Sequence, residues 1–425
     1  MSEFVLGCII GTKGVLMDKI KAMFRAFKYR NFRLFFPGLA ICQIGIWIQN
    51  IAISWLVYDI TKSPFMMGTV MFFNAIPLFI VTPFAGVIVD KFNRHKLLFA
   101  VQLLFALQAL LITLFTVTGF INIPVIIVLG VFLNCIAAID APLRQSTFVL
   151  LVDDKKDLSN AISLNASCFN MARFVGPAIG GMLIAYTNIG ICFLINFLCI
   201  LPNIFLVRMM KIVDVKSETV KNSSIFESLK EEVSYTLAHP EISLSQLYLA
   251  IFCFMLLAYP MLMPIYTSEV LHANADVLGF ILGATGVGSL IASLLLAIKM
   301  TTHKMRTIMF CGCLSICGAY IFLGFINHEW TAIILMFFAG LGMTCFLTPQ
   351  NMLLQNIVAD DKRGRVMSMN ALCYGGTISL SSFVAGSIAE TIGIAHTFVL
   401  LGGVMFVFAC YFSYRLSKFD YTKKI

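Results

Sequence analysis

Apolar residues fill the chain in twelve stretches, and short polar segments separate each stretch from the next. An α-helix needs about 20 apolar residues to cross the hydrocarbon core of a membrane, and these stretches meet that length. The pattern therefore predicts an all-α membrane protein with twelve transmembrane helices. The predicted helices are 34–58, 65–89, 97–118, 123–152, 158–187, 190–210, 242–268, 277–299, 306–326, 330–357, 366–391 and 396–416.

Two sequence segments resemble each other, one at the end of the fourth predicted helix and one at the end of the tenth. Pro142 aligns with Pro349, and the DDKK run at 153–156 aligns with the DDKR run at 360–363. A parallel repeat among membrane helices is typical of transporters built from two six-helix halves. We expect two six-helix pseudo-repeats with these boundaries: a juxtamembrane segment 1–33, a bundle 34–210, a linker with an amphipathic helix 211–241, a bundle 242–416 and a tail 417–425.

Composition and charge agree with a membrane location. The chain is 60% hydrophobic and 12% charged, with a mean hydropathy of +0.92, far more apolar than soluble domains. Of its 30 Lys and Arg residues, all but Lys62, Arg144 and Arg173 lie in segments that the twelve-helix topology places on one side with both termini. The positive-inside rule predicts that this side is the cytoplasm. The basic residues are spread over many segments, which argues against a nucleic-acid partner and favours contact with membrane lipids.

Several kinds of chemistry are not expected from this sequence. Nearly all of the 13 cysteines lie inside predicted helices, where core packing explains them, and the six histidines have no metal-ligand spacing. Neither a nucleophile–base pair nor a phosphate-binding loop is visible. We therefore expect no enzyme activity, no metal and no cofactor, and transport energy would come from an ion gradient.

The loop after the second predicted helix carries a glycine, an acid and basic residues at fixed spacing. Gly86 lies one turn before Asp90, and Lys91 and Arg94 follow. A glycine permits close helix approach, and the aspartate can face a basic residue or a helix N-terminus. This spacing resembles the GxxxD(R/K)xxR(R/K) loop motif of the major facilitator superfamily, which latches the two halves together. The alternative is an ordinary positively charged loop.

The fifth predicted helix contains a proline flanked by glycines, namely Gly176, Pro177, Gly180 and Gly181. Proline removes a helical hydrogen bond, and the glycines leave a groove for another helix. The segment resembles the GP-x-x-GG antiporter motif of drug/proton exporters in the same superfamily. The alternative is a packing face of small residues, and both interpretations can hold together.

Three charged residues lie deep inside predicted helices: Asp140, Arg144 and Arg173. A charge in a membrane is costly and is usually partnered and functional. Asp140 and Arg144 share a helix face, and Asp140 and Arg173 are predicted at depths within about 5 Å of each other. We expect a cluster of the three that couples transport to protons, with a purely structural ion pair as the alternative. Asp140 is the candidate proton carrier because arginines stay charged.

Polar residues elsewhere in the predicted helices are candidates for the substrate pathway, although polar residues also hold helices together. These candidates are Gln43, Trp47, Asn50, Asn74, Tyr259, Asn351, Gln355 and Tyr374.

Several segments together resemble a narrower group. They include residues 29–35 (YRNFRLF), 54–61 (SWLVYDIT), 140–145 (DAPLRQ) and 172–181 (ARFVGPAIGG). The sequence is similar to major facilitator exporters of the enterobactin-exporter and macrolide-efflux type. The resemblance implies proton-driven export of a medium-sized organic molecule, siderophore-like or drug-like, from a bacterial cytoplasm. It also implies a multi-pass protein of the inner membrane with both termini cytoplasmic. We expect a monomer whose partners are its small-molecule substrate and protons.

Other functions remain open on the same fold. An importer and a lipid flippase would share the twelve helices, and the antiporter-like segment argues against import. A non-transporting sensor would require a soluble signalling domain, which the sequence does not contain.

Overall fold

A computed structural model of the chain describes residues 25–152, 154–211, 234–299, 305–358 and 362–417. Within these residues, twelve helices are long and apolar enough to span a membrane, which confirms the predicted fold. The helices are α1 (Arg30–Thr61), α2 (Pro64–Lys91), α3 (Arg94–Val117), α4 (Ile123–Leu151), α5 (Lys155–Tyr186), α6 (Ile189–Met209), α7a (Pro240–Leu256), α7b (Tyr259–Ile265), α8 (Ala275–Lys299), α9 (Met305–Leu323), α10 (Glu329–Ile357), α11 (Arg363–Ile392) and α12 (Ile394–Ser417). The amphipathic helix predicted within the linker lies largely outside the described residues.

Short polar side chains set the starts of several helices in the first half. Ser63, Asn93, Asn122 and Asn188 each accept a hydrogen bond from a backbone N–H in the first turn of the helix that follows. Such caps satisfy donors that the helix itself leaves unpaired. These caps stabilise the helix starts and so permit tight turns between long apolar helices.

The seventh span is broken, whereas the sequence predicts one continuous helix over 242–268. α7a ends at Leu256 and α7b begins at Tyr259, and a π-helical turn, Tyr266–Val270, follows. Pro260 contributes to the break because it lacks the N–H that would donate to the carbonyl of Leu256, four residues earlier. The hydroxyl of Tyr320 donates to the carbonyl of Leu256, the last residue of α7a.

The two halves meet through two pairs of helices that are equivalent in the repeat. α5 packs on α8, and α2 packs on α11, which is the symmetric pair in the repeat. Within the first half, α5 also packs on α1, α1 on α6, and α2 on α4. We call the side where α6 ends and α7a begins the linker side, and the side of the turn between α1 and α2 the distal side.

The halves are in close contact on the distal side. A Cβ added to Gly181 of α5 would lie 2.4 Å from the carbonyl oxygen of Ala275 and 2.7 Å from the Cα of Gly279, both in α8. Glu390, near the end of α11, accepts hydrogen bonds from the Ser63 hydroxyl (2.8 Å) and the Phe65 N–H (3.1 Å) at the start of α2. The molecule is therefore closed on its distal side.

Candidate functional site

A cavity of about 800 Å³ lies inside the first half, between α1, α3, α4, α5 and α6. Its walls combine aliphatic and aromatic residues with many amides and one ion pair. The polar residues that line it are Gln43, Gln49, Asn50, Gln102, Gln108, Asn134, Asp140, Arg144, Gln145, Asn165, Asn196 and Asn203. The volume falls within the range of about 300–1,000 Å³ typical of small-molecule sites.

Hydrogen bonds between amides join three helices at this cavity. Asn196 of α6 donates to Gln49 of α1 at 2.7 Å, and Gln49 donates to Gln108 of α3 at 3.2 Å. Closer to the linker side, Asn203 of α6 donates to Gln102 of α3 at 2.9 Å. Each of these bonds joins an amide N–H to an amide oxygen of another helix. Nε2 of Gln108 and Oδ1 of Asn196 and Asn203 are buried and have no partner among the described residues.

Asp140 and Arg144 form the only described salt bridge within the cavity. The two residues lie one turn apart on α4, and the guanidinium donates to carboxylate Oδ2. The side chain of Asp140 is 8% exposed and that of Arg144 is 16% exposed. Carboxylate Oδ1 is buried and has no hydrogen-bond partner among the described residues. Oδ2 of the carboxylate therefore accepts a hydrogen bond from Arg144, whereas Oδ1 has no donor among the described residues.

Arg173 does not join this ion pair, so the predicted three-membered cluster is wrong. Its guanidinium donates to the hydroxyl of Tyr259 at 3.0 Å and approaches the sulfur of Met343 at 3.6 Å, both in the second half. It also lies over the indole ring of Trp47, 5.9 Å from the centroid. The reason for the difference is packing: α5 lies mainly on α1 and α8 rather than on its chain neighbour α4. The similar depth predicted for Asp140 and Arg173 is therefore not accompanied by contact between them.

The predicted pathway residues fall into three groups. Gln43 and Asn50 line the cavity of the first half. Trp47, Tyr259 and Tyr374 lie around Arg173 between the halves. The remaining three, Asn351, Gln355 and Asn74, lie elsewhere. On α10, Gln355 donates a hydrogen bond to Asn351 at 2.9 Å. The side chain of Asn74 on α2 is buried against Gly130 of α4.

Sequence reasoning missed most of the amide network, namely Gln49, Gln102, Gln108, Asn196 and Asn203. One signal was available for the last two. Asn196 and Asn203 are seven residues apart, which places both on one face of an otherwise apolar helix. Gly45 and Gly38 of α1 face them, because a Cβ at either glycine would lie about 2.6 Å or 2.5 Å from the corresponding amide oxygen.

The glycines of the antiporter-like segment hold α5 against two different helices. A Cβ on Gly176 would collide with Trp47, and one on Gly180 would collide with Ile51, both in α1. Gly181 instead faces α8. The segment therefore permits close packing within the first half and between the halves, and its role in antiport stays a prediction.

The loop motif gives a prediction about conformation. Gly86 is exposed, and no atom lies within 4 Å of the position that its Cβ would occupy. Since the structure is closed distally, we expect this motif to engage when the linker side closes. Asp90→Asn should leave insertion intact and shift the population toward the state seen here. Spin-label distances between α2 and α11 on the linker side would measure the shift. Unchanged distances would show that the motif is an ordinary positively charged loop.

A separate cluster on the linker side holds the segment that precedes α1. Asp157, at the start of α5, accepts from the Tyr29 hydroxyl at 3.0 Å and forms salt bridges with Arg25 (3.2 Å) and Lys28. The backbone N–H of Ala26 donates to Asn160 at 3.0 Å. The 3₁₀ turn Arg25–Lys28 is thereby anchored to α5.

This anchor should be insensitive to pH in the physiological range. The hydrogen bond from Lys28 lowers the pKa of Asp157, and the same bond raises the pKa of Lys28. The stabilisation is therefore complete above the ordinary aspartate pKa of about 3.9 and below the ordinary lysine pKa of about 10.4, and is lost only outside those limits. We expect Ala26→Cys, at a buried position, to react slowly with a water-soluble thiol reagent at pH 5 and at pH 8 alike. Asp157→Asn should speed that reaction, whereas Asp59→Asn should not.

The fold and the charged cavity define a membrane transporter with two six-helix halves. A family profile described as transmembrane secretion effector matches residues 21–424, and the chain belongs to this family of the major facilitator superfamily. The chain is 26% identical to the staphyloferrin A transporter of Staphylococcus aureus over 87% of this chain and 92% of that protein. It is 21% identical to macrolide efflux protein A of Streptococcus pyogenes over 90% and 96%.

A solved structure agrees on the fold. The bacterial homologue of the human lysosomal transporter Spinster, in an inward-facing and occupied conformation, aligns with a TM-score of 0.74. It shares 13% sequence identity and covers 93% of this chain and 98% of its own.

Proposed function

We propose that the protein is a secondary active exporter of a medium-sized organic molecule, siderophore-like or drug-like, coupled to the inward flow of protons. The observation that carries the proposal is the cavity of the first half, which places a carboxylate–guanidinium pair among amides. The family and the relatives named above support transport and secretion.

The chemistry of the cavity suits a polar organic substrate. Amides both donate and accept, so they match hydroxyl, amide and carbonyl groups without demanding a fixed charge. The aliphatic and aromatic walls supply apolar contact area. The volume of about 800 Å³ is compatible with a molecule of drug-like size.

Asp140 is the group in this cavity that can carry a proton. In its ionised form it holds Arg144 through a charge-assisted hydrogen bond. Protonation would weaken that bond and free the guanidinium to move toward other acceptors, whereas arginine itself stays charged. Proton binding and a local rearrangement are thus linked through one pair.

Alternating access would move the linker side and the distal side in turn. The structure is closed distally through Gly181 and Glu390, while Gly86 near the linker side faces open space. The distribution of Lys and Arg supports the linker side as cytoplasmic, so this state would load substrate from the cytoplasm.

Comparing the medium of cells that have or lack the gene, grown with and without iron, tests the proposed function. A compound present only in the medium of cells with the gene supports export and supplies the substrate for later assays. Depletion of a compound from that medium would indicate an importer. A change confined to lipid asymmetry of the membrane would indicate a flippase, and no change at all would favour a sensor.

A further inference from the structure

Arg173 is a membrane-embedded cation without an acidic partner in the described part of the chain. No described carboxylate lies within 4.0 Å of its guanidinium, and its neighbours are a phenol, a thioether and an indole ring. Asp140 is already paired with Arg144 and does not reach it. A buried charge that lacks a counter-ion is costly, and proteins rarely keep one without a use.

The guanidinium also has hydrogen-bonding capacity to spare. Both of its protein hydrogen bonds come from Nη2. Nε and Nη1 therefore have no acceptor among the described residues, and they are not enclosed, because Arg173 remains partly exposed. These N–H groups lie on different edges of the planar guanidinium, and each can donate a charge-assisted hydrogen bond to a carboxylate oxygen.

The described surroundings of Arg173 supply the Tyr259 hydroxyl and the Met343 sulfur as acceptors and no negative charge. The indole Nε1 of Trp47 is buried and has no hydrogen-bond partner in the described structure. Trp47 packs edge-on against Phe169, with the ring centroids 5.7 Å apart. Tyr259 fixes the guanidinium through its own oxygen, and Tyr374 lies within electrostatic range. Aromatic walls, two unused donor groups and one unneutralised positive charge all favour an anionic ligand.

We propose that Arg173 binds a carboxylate of the transported molecule at the interface between the halves, so that the substrate is an organic acid. The inference rests on the proposed function in taking the ligand to be the transported molecule. The site is shared between the halves, since Trp47 and Arg173 belong to the first and Tyr259 and Met343 to the second. Binding there would couple occupancy to the relative position of the halves.

Tryptophan fluorescence can test this binding without a transport assay. The chain has three tryptophans, so Trp55→Phe with Trp330→Phe leaves Trp47 as the sole reporter beside Arg173. We would titrate the full chain in phosphatidylcholine nanodiscs with citrate, with the uncharged trimethyl citrate, and with inorganic phosphate. We expect a saturable change with citrate, and an apparent Kd at least about tenfold weaker for the ester and for phosphate.

Variants then assign the response to Arg173. Arg173→Gln should weaken citrate binding at least about tenfold, and Arg173→Lys should weaken it less because the charge remains. Lys62→Gln, which removes an exposed cation at the distal end of α1, should leave the Kd unchanged. If Arg173→Gln does not fold, the comparison of citrate with its ester in the Arg173 protein decides the question.

Three results would overturn the proposal. They are an equal response to citrate and its ester, an unchanged Kd in Arg173→Gln, and a response that requires phosphatidylglycerol in the nanodisc, which would mark a lipid headgroup site. None of them bears on the export test, because that test scores the medium of whole cells. Export without citrate binding would leave the proposed function standing and remove this inference alone.

Discussion

Asp140→Asn is expected to abolish the accumulation of substrate against its gradient while leaving downhill exchange in place. The amide is close in size to the carboxylate, but it cannot carry a proton between the two sides of the membrane. Arg144 would keep a hydrogen-bond acceptor and lose its counter-ion. The assay is uptake of the exported compound into everted membrane vesicles under an imposed pH gradient.

Two further variants separate coupling from damage. Asp59→Asn makes the same change at an exposed distal carboxylate, 2.8 Å from Lys62, and should leave accumulation intact. Asp140→Glu keeps a titratable group and should restore part of the activity. Accumulation at the wild-type level in Asp140→Asn would make the ion pair structural, and the coupling group would then lie elsewhere.

Gly181→Leu is expected to reduce transport at least about tenfold by preventing closure of the distal side. The new side chain would collide with the backbone of α8, and backbone atoms at 2.4 and 2.7 Å cannot move aside as a flexible side chain could. Relief requires separation of the halves, so the population should shift toward a state that is open distally. A water-soluble thiol reagent applied from the distal side to Ala275→Cys, at a position that the closed contact buries, would detect that opening.

Gly403→Leu is the matched control for this steric effect. No atom lies within 4 Å of the position of its Cβ, so α12 should accept the same side chain without strain. A Gly181→Leu protein that transports like the wild type would show that the distal contact is not obligatory in the cycle.

The twelve helices could be predicted from the sequence because membrane length alone sets the requirement, and apolar runs of that length have few other uses. The repeat around Pro142 and Pro349 indicated two halves. The break in the seventh span was harder to predict, since Pro260 is compatible with either a kink or a break. At the break, the Leu256 carbonyl lacks a hydrogen-bond donor from its own helix, and the hydroxyl of Tyr320 on α9 donates to it instead.

Only the part of the candidate site that lies on a single helix was predictable from the sequence. The Asp140–Arg144 pair follows from helical spacing on one helix. The position of Arg173 depends on how α5 is rotated, and contacts of Gly176 and Gly180 with α1 set that rotation. The amide network joins α1, α3 and α6, whose mutual approach no single helix encodes. Contacts between distant helices were therefore the part that sequence patterns left undetermined.

The most direct test of proton-driven export is to measure protons and substrate together. The purified protein would be reconstituted in liposomes with a trapped pH indicator, and the exported compound would be added on one side without an imposed pH gradient. We expect the wild type to move protons in the direction opposite to the substrate, and Asp140→Asn to move substrate down its gradient without protons. Substrate movement by the wild type with no change in internal pH would contradict this expectation.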